Sequence, residues 1–258
     1  MTAIPQHFVA VDWSGAKNGS RKKIWLAEAD AAGEMQALEN GRSREQARDR
    51  LIEIGREESD LVVGLDFAFS CPKWFVRECG CSSATEFWKQ AERHADQWLA
   101  EQPCKPFYRK GPQPSNAFRA TDIELREQGL SPETVFKLVG ATQVGPGSIR
   151  GMPILADLQE AGFSIWPFDP PKLPLVVEIY PRLFYGTALN KSSLEARVQF
   201  LDDHPEFTMD RMQRIQAQCS DDAFDAAVSA FAMCERRAEF SALPTPTDTE
   251  RLEGKIWG

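Results

Sequence analysis

Residues 60–69 read DLVVGLDFAF, a nearly continuous apolar run with an acid, Asp66, set near its end. A strand wetted on one side alternates apolar and polar residues, so an unbroken run belongs to a central strand covered on both faces. The stretch just before it predicts one of the covering helices. Ser43 is a plausible N-cap with Gln46 three residues on, and Ala47, Leu51 and Ile54 recur at the spacing of one buried helical face through residue 58.

The chain opens with three further strand signals, residues 7–11 (HFVAV), 22–28 (KKIWLAE) and 33–38 (GEMQAL). Glycine-bearing turns at 13–20 and 30–33 separate them and predict an antiparallel meander. Beyond Ser70 proline and glycine punctuate short helical pieces, which predicts a large insertion over residues 70–172. Within it, 84–101 and 152–161 have helical period, and 163–168 is an apolar segment. Strand texture resumes at 173–180 (LPLVVEIY) and stops at Pro181. A strongly patterned helix runs from Asp221 to about 239, with Phe224, Val228 and Phe231 as its buried stripe. Residues 253–257 (EGKIW) suggest a last short strand. The expectation is a single α/β domain of RNase H-like element order over residues 1–258: a mixed five-stranded sheet, antiparallel in its first three strands, with flanking helices and the insertion between the fourth and fifth strands beside the active-site edge.

Acids fall where strands do not want them. Aspartate is depleted in strands and costly to bury unpaired, yet Asp12 ends the first strand, Asp66 the fourth, and Glu178 lies in the fifth. In an open sheet with helical crossovers, ligands gather at the carboxyl ends of strands. Asp222 and Asp225 are separated by ~60° on the last helix and share one side of it. Such a constellation suits two-metal phosphoryl transfer, in which Mg²⁺ or Mn²⁺ prefers hard carboxylate oxygens. Asp12, Asp66, Asp222 and Asp225 are the candidate metal ligands, and these four with Glu178 the candidate catalytic set. Ordinary roles compete: Asp12 or Asp66 capping a turn, Glu178 paired with an arginine such as Arg182, and Asp221 or Asp222 as first-turn acids favoured by the helix dipole.

Charge bears on the partner. Thirty Lys and Arg against 38 Asp and Glu give a net charge of −8, so a polyanion must meet a local basic surface. Residues 103–121 carry Lys105, Arg109, Lys110 and Arg119 with no acid, interleaved with Phe107, Tyr108 and Phe118, the pattern of a grip on single-stranded nucleic acid or of a solvated proline-rich loop. Residues 143–150 (QVGPGSIR) form a glycine-rich phosphate-loop candidate beside Arg150, and Lys17 is a third candidate contact. The candidate substrate-binding set is thus Lys17, Arg109, Lys110, Arg119 and Arg150. No apolar run reaches the ~18 residues of a membrane span, and no basic segment precedes the first apolar stretch, so neither a membrane partner nor export is expected. Six cysteines without CxxC pairing predict reduced thiols in a cytoplasmic protein; His7, His94 and His204 show no pattern, and Ser14 sits in no GxSxG elbow.

Six segments together, VAVDWSGAK at 9–17, VGLDFAFS at 63–70, TQVGPGSIRGMP at 142–153, EIYPRLFYG at 178–186, DDAFDAAVSA at 221–230 and the terminal EGKIWG, resemble the domain of unknown function 429 family. Its members are regarded as predicted nucleases of the RNase H-like superfamily. The resemblance implies that Asp12 and Asp66 are the first- and fourth-strand acids, Asp222 and Asp225 the paired acids of the final helix, and Glu178 part of the family's strand-end motif. It implies metal-dependent phosphodiester hydrolysis of DNA or RNA. One departure is WSGAKNG after Asp12, which resembles the phosphate hairpin of the actin-like ATPase and sugar-kinase branch and keeps a nucleotide-binding or phosphotransfer reading open. A full actin-like enzyme resembles two such domains, and this chain carries one set of acids. A non-catalytic interaction module on the same fold is the third reading.

Overall fold

The computed structural model describes residues 3–140 and 144–258. Strands β1 (His7–Asp12), β2 (Trp25–Asp30) and β3 (Met35–Glu39) form the antiparallel meander, with a register shift between Glu28 and Ala29. Helix α1 (Arg44–Glu57) starts from a reciprocal cap: the Gln46 N–H donates to Ser43 Oγ and the Ser43 N–H to Gln46 Oε1. It buries Ala47, Leu51 and Ile54 and leads into β4 (Leu61–Leu65), which pairs parallel with β1. Then follow α2 (Lys73–Glu78), α3 (Ala84–Trp98), α4 (Ala120–Glu127), α5 (Val144–Glu160), β5 (Ser164–Ile165), β6 (Leu175–Glu178), α6 (Arg182–Tyr185), α7 (Leu194–Asp203), α8 (Arg211–Cys219), α9 (Asp221–Glu235) and α10 (Glu250–Glu253).

The result is an α/β fold on a mixed sheet of order β3-β2-β1-β4-β6-β5, with ten α-helices among the described residues. Both faces are covered. Val9 and Val11 of β1, Leu61, Val63 and Leu65 of β4 and Val176 of β6 join one core, with α1, α3 and α5 over it. Phe8, Ala10, Val62, Leu175 and Val177 join a second core beneath α8 and α9. Each fully buried Val or Leu contributes about 1.5–3 kcal/mol, which is why the apolar run could only be a central strand. Gly64 permits the close approach on the second face, because a Cβ there would lie 2.7 Å from Met233 Sδ and 2.8 Å from Ile179 Cγ2.

Several expectations are corrected. The sheet has six strands, not five, because Ser164–Ile165, inside the segment read as insertion, pairs parallel with β6. The strand expected over 60–69 ends at Leu65, where the chain turns and sends Phe67 and Phe69 into the first core. Residues 20–22 form a 3₁₀ turn, so the second strand starts at Trp25. The terminal strand is reduced to one parallel bridge between Ile256 and Glu178, preceded by α10.

The glycine-rich loop expected over 143–150 is helix from Val144 onward; Gln143 lies outside the described residues. Its glycines serve packing. A Cβ at Gly145 would meet Val135 O at 2.5 Å and one at Gly151 would meet the Phe67 ring at 2.6 Å, so residues that locally signal a break are tertiary contact points. Through α3 and α5 the insertion covers a sheet face as well as bordering the carboxyl-end edge. No helix among the described residues is long and apolar enough to cross a membrane.

Candidate metal centre

Parallel pairing aligns the ends of three strands. Val11 sits beside Leu65 and Leu65 beside Glu178, so β1, β4 and β6 finish at one level, Asp12 ending β1, Asp66 following β4 and Glu178 ending β6. Side chains alternate along a strand, so Asp12 shares the face of Phe8 and Ala10, toward α9. Helix α9 starts from Ser220, whose Oγ accepts the Ala223 N–H at 3.1 Å, and presents Asp225 one turn later. One oxygen from each of Asp12, Asp66 and Asp225 lies within 4.8 Å of the others.

Asp12 is 9% exposed and Asp225 2%. Burial, and then the charge of Asp225, holds the carboxyls of both Asp12 and Asp66 well above the ordinary carboxylate range. Burial raises Asp225 as well, against the pull of Lys191, whose Nζ donates to Asp225 Oδ2. Arg197, 6% exposed, fixes that lysine's backbone: its Nη1 donates to the Lys191 carbonyl and its Nε to Gln218 O at 2.7 Å. The other oxygen, Asp225 Oδ1, is buried without a hydrogen-bond partner, a costly state for a carboxylate.

Three converging carboxylates, one with a bare buried oxygen, form the all-oxygen donor set that hard divalent cations such as Mg²⁺ and Mn²⁺ take. They lie in a cavity of about 630 Å³, whose walls include the loop Ser14 to Ala16 and the side chains of Lys23, Tyr180 and Tyr185. Asp222 lines the same cavity outside the three-acid group, its carboxyl raised by burial and by Asp221.

Glu178 is at the site but engaged. Arg119 Nη1 and Nη2 hold its two oxygens at 2.8 and 2.6 Å, and the Phe69 N–H donates to Oε2 at 3.0 Å. Burial still raises its carboxyl, opposed by Arg119. The arginine is thus Arg119 rather than Arg182, which binds the carbonyls of Leu189 and Thr187.

Of the expected phosphate contacts only Arg119 lines the cavity, and its guanidinium is engaged there. Arg119 is 2% exposed and also bound by Asp122. Arg109 donates to the carbonyls of Leu99 and Ala100, both at 2.9 Å. Arg150 donates to Gly15 O, and Arg44 to Ser14 O and Ala16 O, so two arginines clamp the loop after β1. Lys17 and Lys110 are exposed and outside the cavity wall. Phe107, expected to stack on bases, is buried against Trp98, and Phe118 lies under Arg126.

Lys191, Tyr180 and Tyr185 were not assigned from the sequence. Lys191 stands in a polar loop without distinguishing pattern. The tyrosines lie in the EIYPRLFYG segment, where their nearness to the strand end was the available signal. At the opposite end of the sheet His7 Nδ1 lies 2.8 Å from Asp60 Oδ1 and 3.3 Å from Glu58 Oε2, a second, part-exposed group whose ligand atoms lie within 4.8 Å of one another. The six cysteines are free. Comparisons of the chain with protein-family models, with curated proteins and with solved structures give no match.

Proposed function

We propose that the protein is a divalent-metal-dependent phosphodiesterase of RNase H-like fold that hydrolyses nucleic acid. The observation that carries this reading is the convergence of Asp12, Asp66 and Asp225, from two neighbouring parallel strands and the helix packed across them. The antiparallel meander followed by parallel β4 and β6, with helices on both faces, supports the fold assignment.

Asp12, Asp66 and Asp225 would hold Mg²⁺ or Mn²⁺, with Asp222 completing the set from the rim. When bound, such an ion stabilises charge on the phosphate and lowers the pKa of a coordinated water. The protein's own part is preorganisation. β1 and β4 fix two carboxylates at one level, α9 fixes the third, and Arg197 holds the backbone that carries Lys191 beside them. The Lys191 ammonium, inside the cavity, is a donor for a phosphate oxygen. Glu178, bound by Arg119, supports the wall at the end of β6 and is not free to act as a base.

The test is Mn²⁺ calorimetry on wild type, Asp12→Asn and Asp222→Asn, followed by a screen for metal-dependent cleavage of single-stranded and duplex DNA and RNA. Micromolar binding lost in Asp12→Asn and weakened in Asp222→Asn is expected, with cleavage abolished in Asp66→Asn. Full activity in Asp66→Asn would reject the assignment.

A further inference from the structure

We infer that the cavity takes its substrate one nucleotide at a time, as the terminal nucleotide of a single strand; this narrows the phosphodiesterase reading and rests on it. Three observations point the same way. The cavity, about 630 Å³, falls in the ~300–1,000 Å³ range of sites that enclose a small molecule. Asp12, at 9% exposure, and Asp225, at 2%, are recessed in it while Asp66 is part-exposed, a placement that suits a flexible single strand better than a base-paired duplex.

None of the three arginines expected as phosphate contacts extends it into a phosphate track. Affinity for a polymer comes from neutralising many successive phosphates. Here Arg109, Arg119 and Arg150 are turned to internal carbonyls and carboxylates, in a chain of net charge −8. The basic residues lining the cavity are Lys191 beside the acids, Lys23, and Arg119 and Arg182, the last two bonded to internal acceptors, which leaves charge for one or two phosphates. Tyr180, partly buried in the same wall, offers ring surface against which a single unpaired base can stack, while the Tyr185 ring packs on Phe224 and under Arg182.

The step is hydrolysis of the last phosphodiester bond. A water oxygen forms the new bond to phosphorus, the phosphorus–oxygen bond to the neighbouring nucleotide breaks, and one water proton ends on the leaving oxygen. The other proton stays with the released phosphate or passes to solvent. No oxidant or second substrate is needed.

The experiment compares, with Mn²⁺, a linear single strand, a covalently closed circular single strand of the same sequence and the small diester bis(p-nitrophenyl) phosphate. DNA and RNA strands are run in parallel. Calorimetry of 5′-mononucleotide binding to wild type, Tyr180→Ala and Tyr180→Phe gives a readout independent of turnover. Expected are hydrolysis of the small diester, release of mononucleotides from linear strands, and circles cut at least 100-fold more slowly. Mononucleotide binding should weaken at least tenfold in Tyr180→Ala and survive in Tyr180→Phe. Circles cut as fast as linear strands, linear strands that resist while the small diester is hydrolysed, or mononucleotides that fail to bind would overturn the terminal-nucleotide assignment and leave the phosphodiesterase reading standing. Mn²⁺-loaded protein that hydrolyses nothing, the small diester included, would overturn both.

Discussion

Arg119 grips Glu178 through both terminal guanidinium nitrogens, at 2.8 and 2.6 Å, with both side chains almost wholly out of water. Asp122 holds the same guanidinium from the other side, and the Glu253 carbonyl accepts from Nη1 at 3.3 Å, so β6, α4 and the C-terminal segment are tied at one point. Removing one partner of a buried pair strands the other charge. Arg119→Met is expected to destabilise the protein by about 3–5 kcal/mol in urea denaturation, and Glu178→Gln, whose amide nitrogen would face an arginine N–H, by somewhat less because Asp122 still neutralises Arg119.

Asp66→Asn should stabilise the metal-free protein while removing Mn²⁺ affinity. In the folded state Asp66 is held above the ~3.9 of an unfolded aspartate, so across that window the folded form binds more protons than the unfolded one. Stability therefore falls as pH rises from about 4 toward the raised folded value, and substitution by asparagine removes the loss. A gain of about 1–2 kcal/mol at pH 8 is expected by chemical denaturation, the size typical of relieving a strained functional site. A loss of stability would show that the cluster is held by interactions other than those described.

Metal binding should be pH-dependent above the range in which ordinary carboxylates titrate. Asp12, Asp66 and Asp225 are all raised, chiefly by burial, so protons must leave before a cation can enter. Mn²⁺ affinity is expected to rise at least tenfold between pH 5.5 and 8. Calorimetry in buffers of different ionisation enthalpy should register proton release on binding.

Lys191→Met removes the cation that partners Asp225. The metal-free variant should lose about 1–3 kcal/mol, the usual cost of leaving a buried polar group unsatisfied, because the raised Asp225 carboxyl can take up a proton. Mn²⁺ should restore it, because the ion meets the same carboxylates without a competing ammonium. Thermal unfolding with and without Mn²⁺ checks this; a variant as stable as wild type without metal would mean that the pair contributes nothing.

Gly15→Ala tests the loop after β1. An added Cβ would lie 2.2 Å from Gly147 N and 2.5 Å from Pro146 C, both backbone atoms that cannot swing aside. The loop must then part from α5, at a cost of about 1–3 kcal/mol, with faster amide exchange in residues 13–16.

Much of the fold was legible in the sequence because burial is written locally. The apolar run around Val62 and Val63 specified a strand covered on both faces, Ser43 and Gln46 specified where α1 begins, and carboxylates at Asp12 and Asp66 stood out because strands otherwise exclude them. Asp225 was legible as an acid beside a buried helical stripe. What only the tertiary structure decided is which distant groups meet. Arg119 lies 59 residues from Glu178 and Lys191 lies 34 from Asp225, and nothing in their own neighbourhoods records the partner. The helix through Gly145 and Gly151 was hidden for a related reason: glycine weakens a helix locally, and only the backbone and ring packed against α5 make the missing Cβ necessary at these two positions. Periodicity encodes what a residue wants to bury, and the path of the chain determines against what.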